Sequence, residues 1–471
     1  MNSWLINPRK HLITWQSIFL ITAFLSPFRS YSQLLTMKGV TNDPPKSSGS
    51  QTGFHIFQYP VLISDPEPNK QSEFQDPNKY ISITSLPSGP ESQMESRHAQ
   101  QMADIQRDLM ETPMYREEQE WLSRTRYYRK AYRQLKGMVP DRFSITEAVF
   151  QVENAYFDGR LNHTELMSVL DMRGLEVKQI LRRAHLSEKN DLALNYGIQA
   201  LYRQANLYHD SSTNQTVNVP AFKYDFDDFD GEKDYTKMFA SKLLATGKGQ
   251  CHSMPLVYLM IAEKLGAKSW LSLAPEHSFI QFQDTKGRLV NFETTNGNLV
   301  SSSWAAESGY VTAKALSNKI YLDTLCHRAL YIRCLDDLLL GYLHKFGYDV
   351  FAEEVNQHIL QLDSTNLTAL IVDANEKTLS AMRAIRKAGS PRPQDLPKYP
   401  KVYSAFLAMQ MAEGKVDDLG YQNMPKDAYQ MWLKSLDGEK KKQSTLAIQE
   451  RMQQEVKALR KTNSTLHNGK N

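Results

Sequence analysis

The chain has 471 residues, of which 41% are hydrophobic, 23% charged and 10% aromatic. That length exceeds one ordinary domain, and plentiful aromatics with aperiodic glycine exclude collagen, a coiled-coil rod and a wholly disordered chain. Fifty-six Lys and Arg against 52 Asp and Glu leave a formal charge of +4, a balance that asks for neither nucleic acid nor an anionic membrane as partner.

Arg9 and Lys10 precede an apolar run from Leu12 to Leu25, which Ser26-Pro27 breaks, and Ser30-Tyr31-Ser32 then places small residues where a signal peptidase reads. The run is about 14 residues, short of the roughly 20 that a spanning helix needs. Residues 1–32 therefore read as a cleaved signal peptide, with an uncleaved anchor as the competing reading. A cleaved signal makes the mature chain secreted or periplasmic, with no integral membrane span. Arg9, Lys10 and Arg29 leave with it, which lowers the formal charge to +1.

Residues 33–93 are rich in Pro, Ser, Gly, Asn and Gln and read as a disordered or loosely docked linker, with one candidate strand in Phe54 to Ile63. Residues 94–208 show three-and-four apolar spacing, as in Ile145-Val149-Val152, and predict a helical region. Ser144 with Glu147 three places later is a capping-box start. Asn154 to Glu165 imitates a calcium loop, but Asn154 and Tyr156 stand where carboxylates belong, so a corner between two helices is expected there and no metal.

Residues 209–317 change character. Tyr224 to Gly231 forms an acidic, aromatic lip or a solvated turn, and a helix is expected around Tyr235 to Leu244. After Gly247 to Gln250, Cys251 to Leu265 predicts an apolar helix with Pro255 in its first turn and Gly266 as its stop. Strand-like runs follow at Lys268–Leu273, Ser278–Gln283 and Arg288–Thr294, the last two joined by the turn Asp284 to Gly287. One helix on an antiparallel sheet, between helical flanks, makes the fold class α+β.

Residues 318–471 predict helices again. Leu339 to Leu370, ending in Asp363-Ser364-Thr365-Asn366, resembles one tetratricopeptide repeat, which implies a helical C-terminal region able to hold a protein partner. Cys326 and Cys334, eight apart in one expected helix, would stand about 12 Å apart, beyond disulfide reach. Both read as buried apolar residues. The basic tail, Lys440 to Lys461, reads as a solvated helix that frays.

Cys251 stands apart from the other two cysteines. A thiol at a helix start, after a glycine turn, meets free N–H groups and the positive end of the helix dipole, which favour the thiolate. A base is available in His277, at the start of a strand. An orienting carboxylate is available in Glu293, on the strand across the hairpin turn. In a hairpin centred between Thr285 and Lys286, position 278 faces 293, so His277 and Glu293 are expected side by side. His252 is a rival base, but on a helix it points about 100° away from Cys251.

Gly249-Gln250-Cys251-His252-Ser253-Met254-Pro255, Glu276-His277-Ser278-Phe279-Ile280 and Asn291-Phe292-Glu293-Thr294-Thr295 together resemble the transglutaminase-like superfamily of papain-type thiol enzymes. That family's order is Cys at a helix start, His on a strand and Asp on the next. The match covers about 75 residues, with Glu293 in place of the usual Asp and Phe279 in place of a Trp after the histidine. The resemblance implies a nucleophile in Cys251, a general base and acid in His277, and an orienting carboxylate in Glu293. It also implies an oxyanion donor in the backbone N–H of Cys251, with Gln250 or Trp270 as candidates for a second. The expected activity is cofactor-free acyl transfer on a protein or peptide amide through a thioester, ending in hydrolysis or amine transfer. The alternative is a scaffold that keeps the architecture without turnover and binds a partner through its helical region.

Overall fold

The computed structural model describes residues 55–56, 97–105, 110, 112–229, 231–439 and 441–468. The expected signal at 1–32 and almost all of the linker lie outside the described residues. Side chains set where the N-terminal helices begin. Thr112 caps α1 (Pro113–Lys136), Ser144 caps α2 (Ile145–Tyr156), Asn162 caps α3 (His163–Arg183) and Asn190 caps α4 (Asp191–Arg203), each accepting from a backbone N–H. At α2 the capping box is half made. Glu147 N donates to Ser144 Oγ at 3.2 Å, but the Glu147 side chain turns to Gln151 and His163. The remaining N–H groups, of Ile145 and Thr146, go to the carboxylate of Glu263 at 2.6 and 2.9 Å. The calcium-like stretch 154–165 is the corner between α2 and α3, with Leu161 N donating to Asn154 Oδ1 at 3.0 Å.

Three small sheets follow. β1 (His55–Ile56), the described part of the candidate strand, pairs parallel with β3 (Gln215–Val219), which pairs antiparallel with β2 (Asn206–Asp210). β4 (Lys223–Tyr224) pairs parallel with β5 (Lys248–Gly249). The largest sheet is antiparallel in the order β6 (Trp270–Ala274), β7 (His277–Gln283), β8 (Leu289–Glu293), β9 (Asn298–Val300). Packed on it is α6 (Ser253–Leu265), closed by Gly266 in the left-handed region. The chain is thus mixed helix and sheet.

The helix expected at 235–244 arrives in two pieces, a 3-10 turn at Tyr235–Met238 and α5 at Ala240–Thr246, divided at the extended residue Phe239. The buried carboxylate of Glu153 accepts from Ala240 N and Ser241 N at 2.6 and 2.9 Å, which starts the second helix afresh. The hairpin register is also shifted by one from expectation. Ile280 faces Phe292 and Gln283 faces Leu289, so position 293 faces 279 rather than 278. Side chains alternate faces along a strand. The observed register is therefore the one that leaves His277 and Glu293 on the same face, as diagonal neighbours.

After the short helices α7 (Ser302–Ala306) and α8 (Ala313–Ser317) come α9 (His327–Phe346), α10 (Val350–Leu362), α11 (Leu367–Lys387), α12 (Pro400–Leu419), α13 (Lys426–Glu439) and α14 (Gln443–Asn468). α11 and α12 share a small core of Leu370, Ala374, Ala412, Val416 and Leu419. Cys334 is buried, but Cys326 is exposed, because α9 starts one residue later and Cys326 is only its cap. The basic tail is solvated on one side only and docks on the other. α14 buries Met452 and Val456 in the main core, and Glu455 accepts from Thr285 N and Oγ1 at 2.9 and 2.7 Å. That core is contiguous from Tyr128 to Val456. No helix among the described residues is long and apolar enough to cross a membrane.

Candidate active site

Cys251 lies in the turn that opens α6, where Met254 N already donates to Gln250 O at 3.0 Å. Gly249 permits this turn: a Cβ there would come within 2.6 Å of Ser253 Oγ, the atom that accepts from Gln250 N at 2.8 Å. Cys251 is 8% exposed. Ser278 Oγ donates to Cys251 O at 2.6 Å, tying the turn of Cys251 to the strand that carries His277.

β6 and β7 are joined by the two-residue turn Pro275-Glu276, with Glu276 at φ +54°. A non-glycine residue in the left-handed region costs roughly 1 kcal/mol. This one turns its carbonyl oxygen to accept from the Cys251 thiol at 3.7 Å. His277 follows directly. Its Nε2 meets Glu293 Oε2 at 2.8 Å, with both side chains 0% exposed. The other oxygen, Oε1, accepts from Thr295 N and Oγ1 at 2.9 and 2.8 Å, so the carboxylate is held at both ends. A diagonal pair lies farther apart than a directly opposed one, which suits the extra methylene of Glu over Asp.

The second ring nitrogen, Nδ1, meets the Tyr429 hydroxyl at 3.1 Å, and that hydroxyl donates to Cys251 Sγ at 3.3 Å. The phenol oxygen can accept from Nδ1 while its proton goes to sulfur, and Nε2 can donate to the carboxylate, so these partners suit a doubly protonated ring. The electrostatics agree. Burial alone would push the imidazole down, but the Glu293 carboxylate and the adjoining Cys251 sulfur hold it up, at about 10. Burial, and then the charge at Cys251, push the Tyr429 phenol well above its ordinary value, so it stays an O–H donor.

Cys251, His277 and Glu293 are thus brought into one buried cluster. The two candidates for a second oxyanion donor are not. Gln250 spends its amide N–H groups on the carbonyls of Asp225 and Asp228, at 2.7 and 3.3 Å, and so fastens the acidic loop. Trp270 pairs with Gln281, four residues along β6 from the Ala274–His277 pair, or roughly 13 Å away at the strand rise. The rival base His252 turns outward to Asp337 on α9, at 3.1 Å.

Tyr429 and Trp432, both on α13, were not anticipated. Trp432 stacks on Trp304 at 4.4 Å and 12°, and both indoles meet the His277 ring in T-shaped contacts at 5.3 and 5.6 Å. Phe229 stacks on Tyr429 at 5.4 Å and 21°. The available signal was the spacing Tyr429, Trp432, Leu433, Leu436, an apolar stripe on one helix face. Among the described residues no group of three or more His, Cys, Asp or Glu is placed to hold a metal ion. No family model, curated protein or solved structure matches the chain. What the site can do is therefore set by its own geometry.

Proposed function

We propose that the chain is an exported, thiol-dependent acyl-transfer enzyme of transglutaminase-like, papain-type design that acts on protein or peptide amides. The observation that carries this reading is the placement of His277, held by Glu293 on one nitrogen and joined through the Tyr429 hydroxyl to the Cys251 sulfur on the other, a setting that favours the charged ring. Such an imidazolium stabilises a thiolate and is ready to give up a proton. The Cys251 thiolate attacks the amide carbonyl carbon, forming the C–S bond. His277 protonates the departing nitrogen as the C–N bond breaks, leaving a thioester and an amine. Water or a second amine then loses its proton to His277 as it attacks the thioester, and the C–S bond breaks to restore the thiolate. Glu293 keeps the ring oriented throughout, and the backbone N–H of Cys251 serves as one oxyanion donor. Export rests on the pattern of residues 1–32.

A second reading, a binding scaffold without turnover, is favoured by one observation, the 8% exposure of Cys251 under Tyr429. p-Nitrophenyl acetate separates the two. The enzyme reading expects a burst of p-nitrophenol, an acetyl group located on Cys251 by mass spectrometry, and loss of both in Cys251→Ala. No acetylation of Cys251 in the wild type or in Lys426→Glu, which loosens α13 at its exposed pair with Glu232, would leave the scaffold.

A further inference from the structure

α13 places an aromatic ring where a substrate of the proposed thiol enzyme would have to lie. Tyr429 is 3% exposed, its hydroxyl is 3.3 Å from the sulfur, and its ring is stacked on Phe229. Tyr224, itself buried, completes the wall from β4, where it stands opposite Gly249, two residues before Cys251. Trp304 lies beyond, 1% exposed, under Trp432. While this helix is seated, no carbonyl carbon can approach the sulfur on the Tyr429 side.

The occupant leaves a donor unanswered. Trp304 Nε1 is buried and meets no acceptor among the described residues, although its ring lies 5.6 Å from that of His277. A buried donor without an acceptor costs free energy. Seated against Trp304, α13 supplies it with none. An extended peptide, with free carbonyls on both sides of an aromatic residue, can supply one. At its N-terminal end α13 is tied to the acidic loop through Lys426, which meets Glu232 in an exposed pair at 2.7 Å that a charge reversal at 426 turns into a repulsion.

We infer that the Tyr429 seat, walled by Tyr224, Phe229 and Trp304, is the substrate's aromatic subsite, and that α13 is an intramolecular competitor for it. The preferred substrate is a peptide with an aromatic side chain next to the scissile carbonyl. This deepens the acyl-transfer reading and rests on it.

The test uses the full chain and three probes, iodoacetamide and the chloromethyl ketones of N-acetylphenylalanine and N-acetylalanine, with alkylation of Cys251 followed by mass spectrometry. Wild type should react slowly with all three. Tyr429→Ala empties the seat and should react faster with all of them, preferring the phenylalanine reagent about tenfold or more, as expected for burying one aromatic side chain. Lys426→Glu should raise rates in the same order without touching the seat, and it decides the matter if circular dichroism shows that Tyr429→Ala does not fold. Equal rates for the two ketones, in a variant that iodoacetamide labels quickly, overturn the aromatic subsite and leave the thiol reading standing. Wild-type rates matching those of both variants overturn the competition by α13. Inertness to all three probes in every folded variant removes the thiol enzyme beneath the proposal.

Discussion

Arg173–Glu176 and His277–Glu293 are ion pairs of the same length, 2.8 Å, and both are almost wholly buried. The first lies within a single helix, α3, and the Arg173 guanidinium packs over the Phe222 ring at 4.5 Å. Burial raises the pKa of Glu176, and Arg173 opposes the rise. The second joins two strands, and its cation has another face, turned toward a sulfur. Burial and charge alone therefore do not mark a reactive site. What separates the pairs is that His277 has a second nitrogen with a reactive neighbour, whereas Arg173 serves packing.

The strongest way to break this contrast is Glu293→Gln. It keeps the shape but removes the charge that orients and charges the ring, and acylation of Cys251 by p-nitrophenyl acetate should fall by about 10³ to 10⁴ with the fold retained by circular dichroism. Glu176→Ala should do the opposite. It removes the carboxylate partner of a buried guanidinium and should cost about 3–5 kcal/mol of stability in urea unfolding, while Cys251 acylation in the folded protein stays within about twofold of wild type. Glu293→Asp should lower acylation by about tenfold, since the shorter side chain must span the same diagonal; a rate equal to wild type would show that the extra methylene is unimportant.

The last contrast is with pH. His277 titrates near 10 in the folded chain against an ordinary 6.5. A raised pKa means that the folded form holds the proton more tightly. The stability it contributes is thus complete below about pH 6.5 and lost as the pH rises through about 10. The difference in unfolding free energy between wild type and His277→Gln, measured across that window, should shrink with rising pH. A difference that is flat or grows would contradict the charged ring.

How much of this could be read from the chain follows physical lines. The α6 boundaries, the three strands and the members of the Cys251, His277 and Glu293 cluster depend on local signals, such as Pro255, Gly266 and alternating apolar runs, and these were legible. The register was not. Asp284 to Arg288 closes a longer loop than the four-residue turn suggested, with Asp284 N donating to Arg288 O at 3.0 Å, and one residue decides the face. The role of α14 was hidden because many of its charges pair with the hairpin and α4 rather than with water, as in Arg451 with Asp284 and Arg460 with Tyr196. Tyr429 was the hardest. Its stripe announces a buried helix face, but nothing 178 residues from Cys251 says which surface that face covers.

The same separation has a temporal meaning. Since the ribosome adds about 5–20 residues per second, the 178 residues between sulfur and phenol correspond to about 10–35 s of synthesis. For that interval the nascent chain carries Cys251, joined for most of it by His277 and Glu293, with no α13 to shield it. A stop codon or a proteolytic nick between Leu419 and Lys426 would be expected to make that juvenile state permanent.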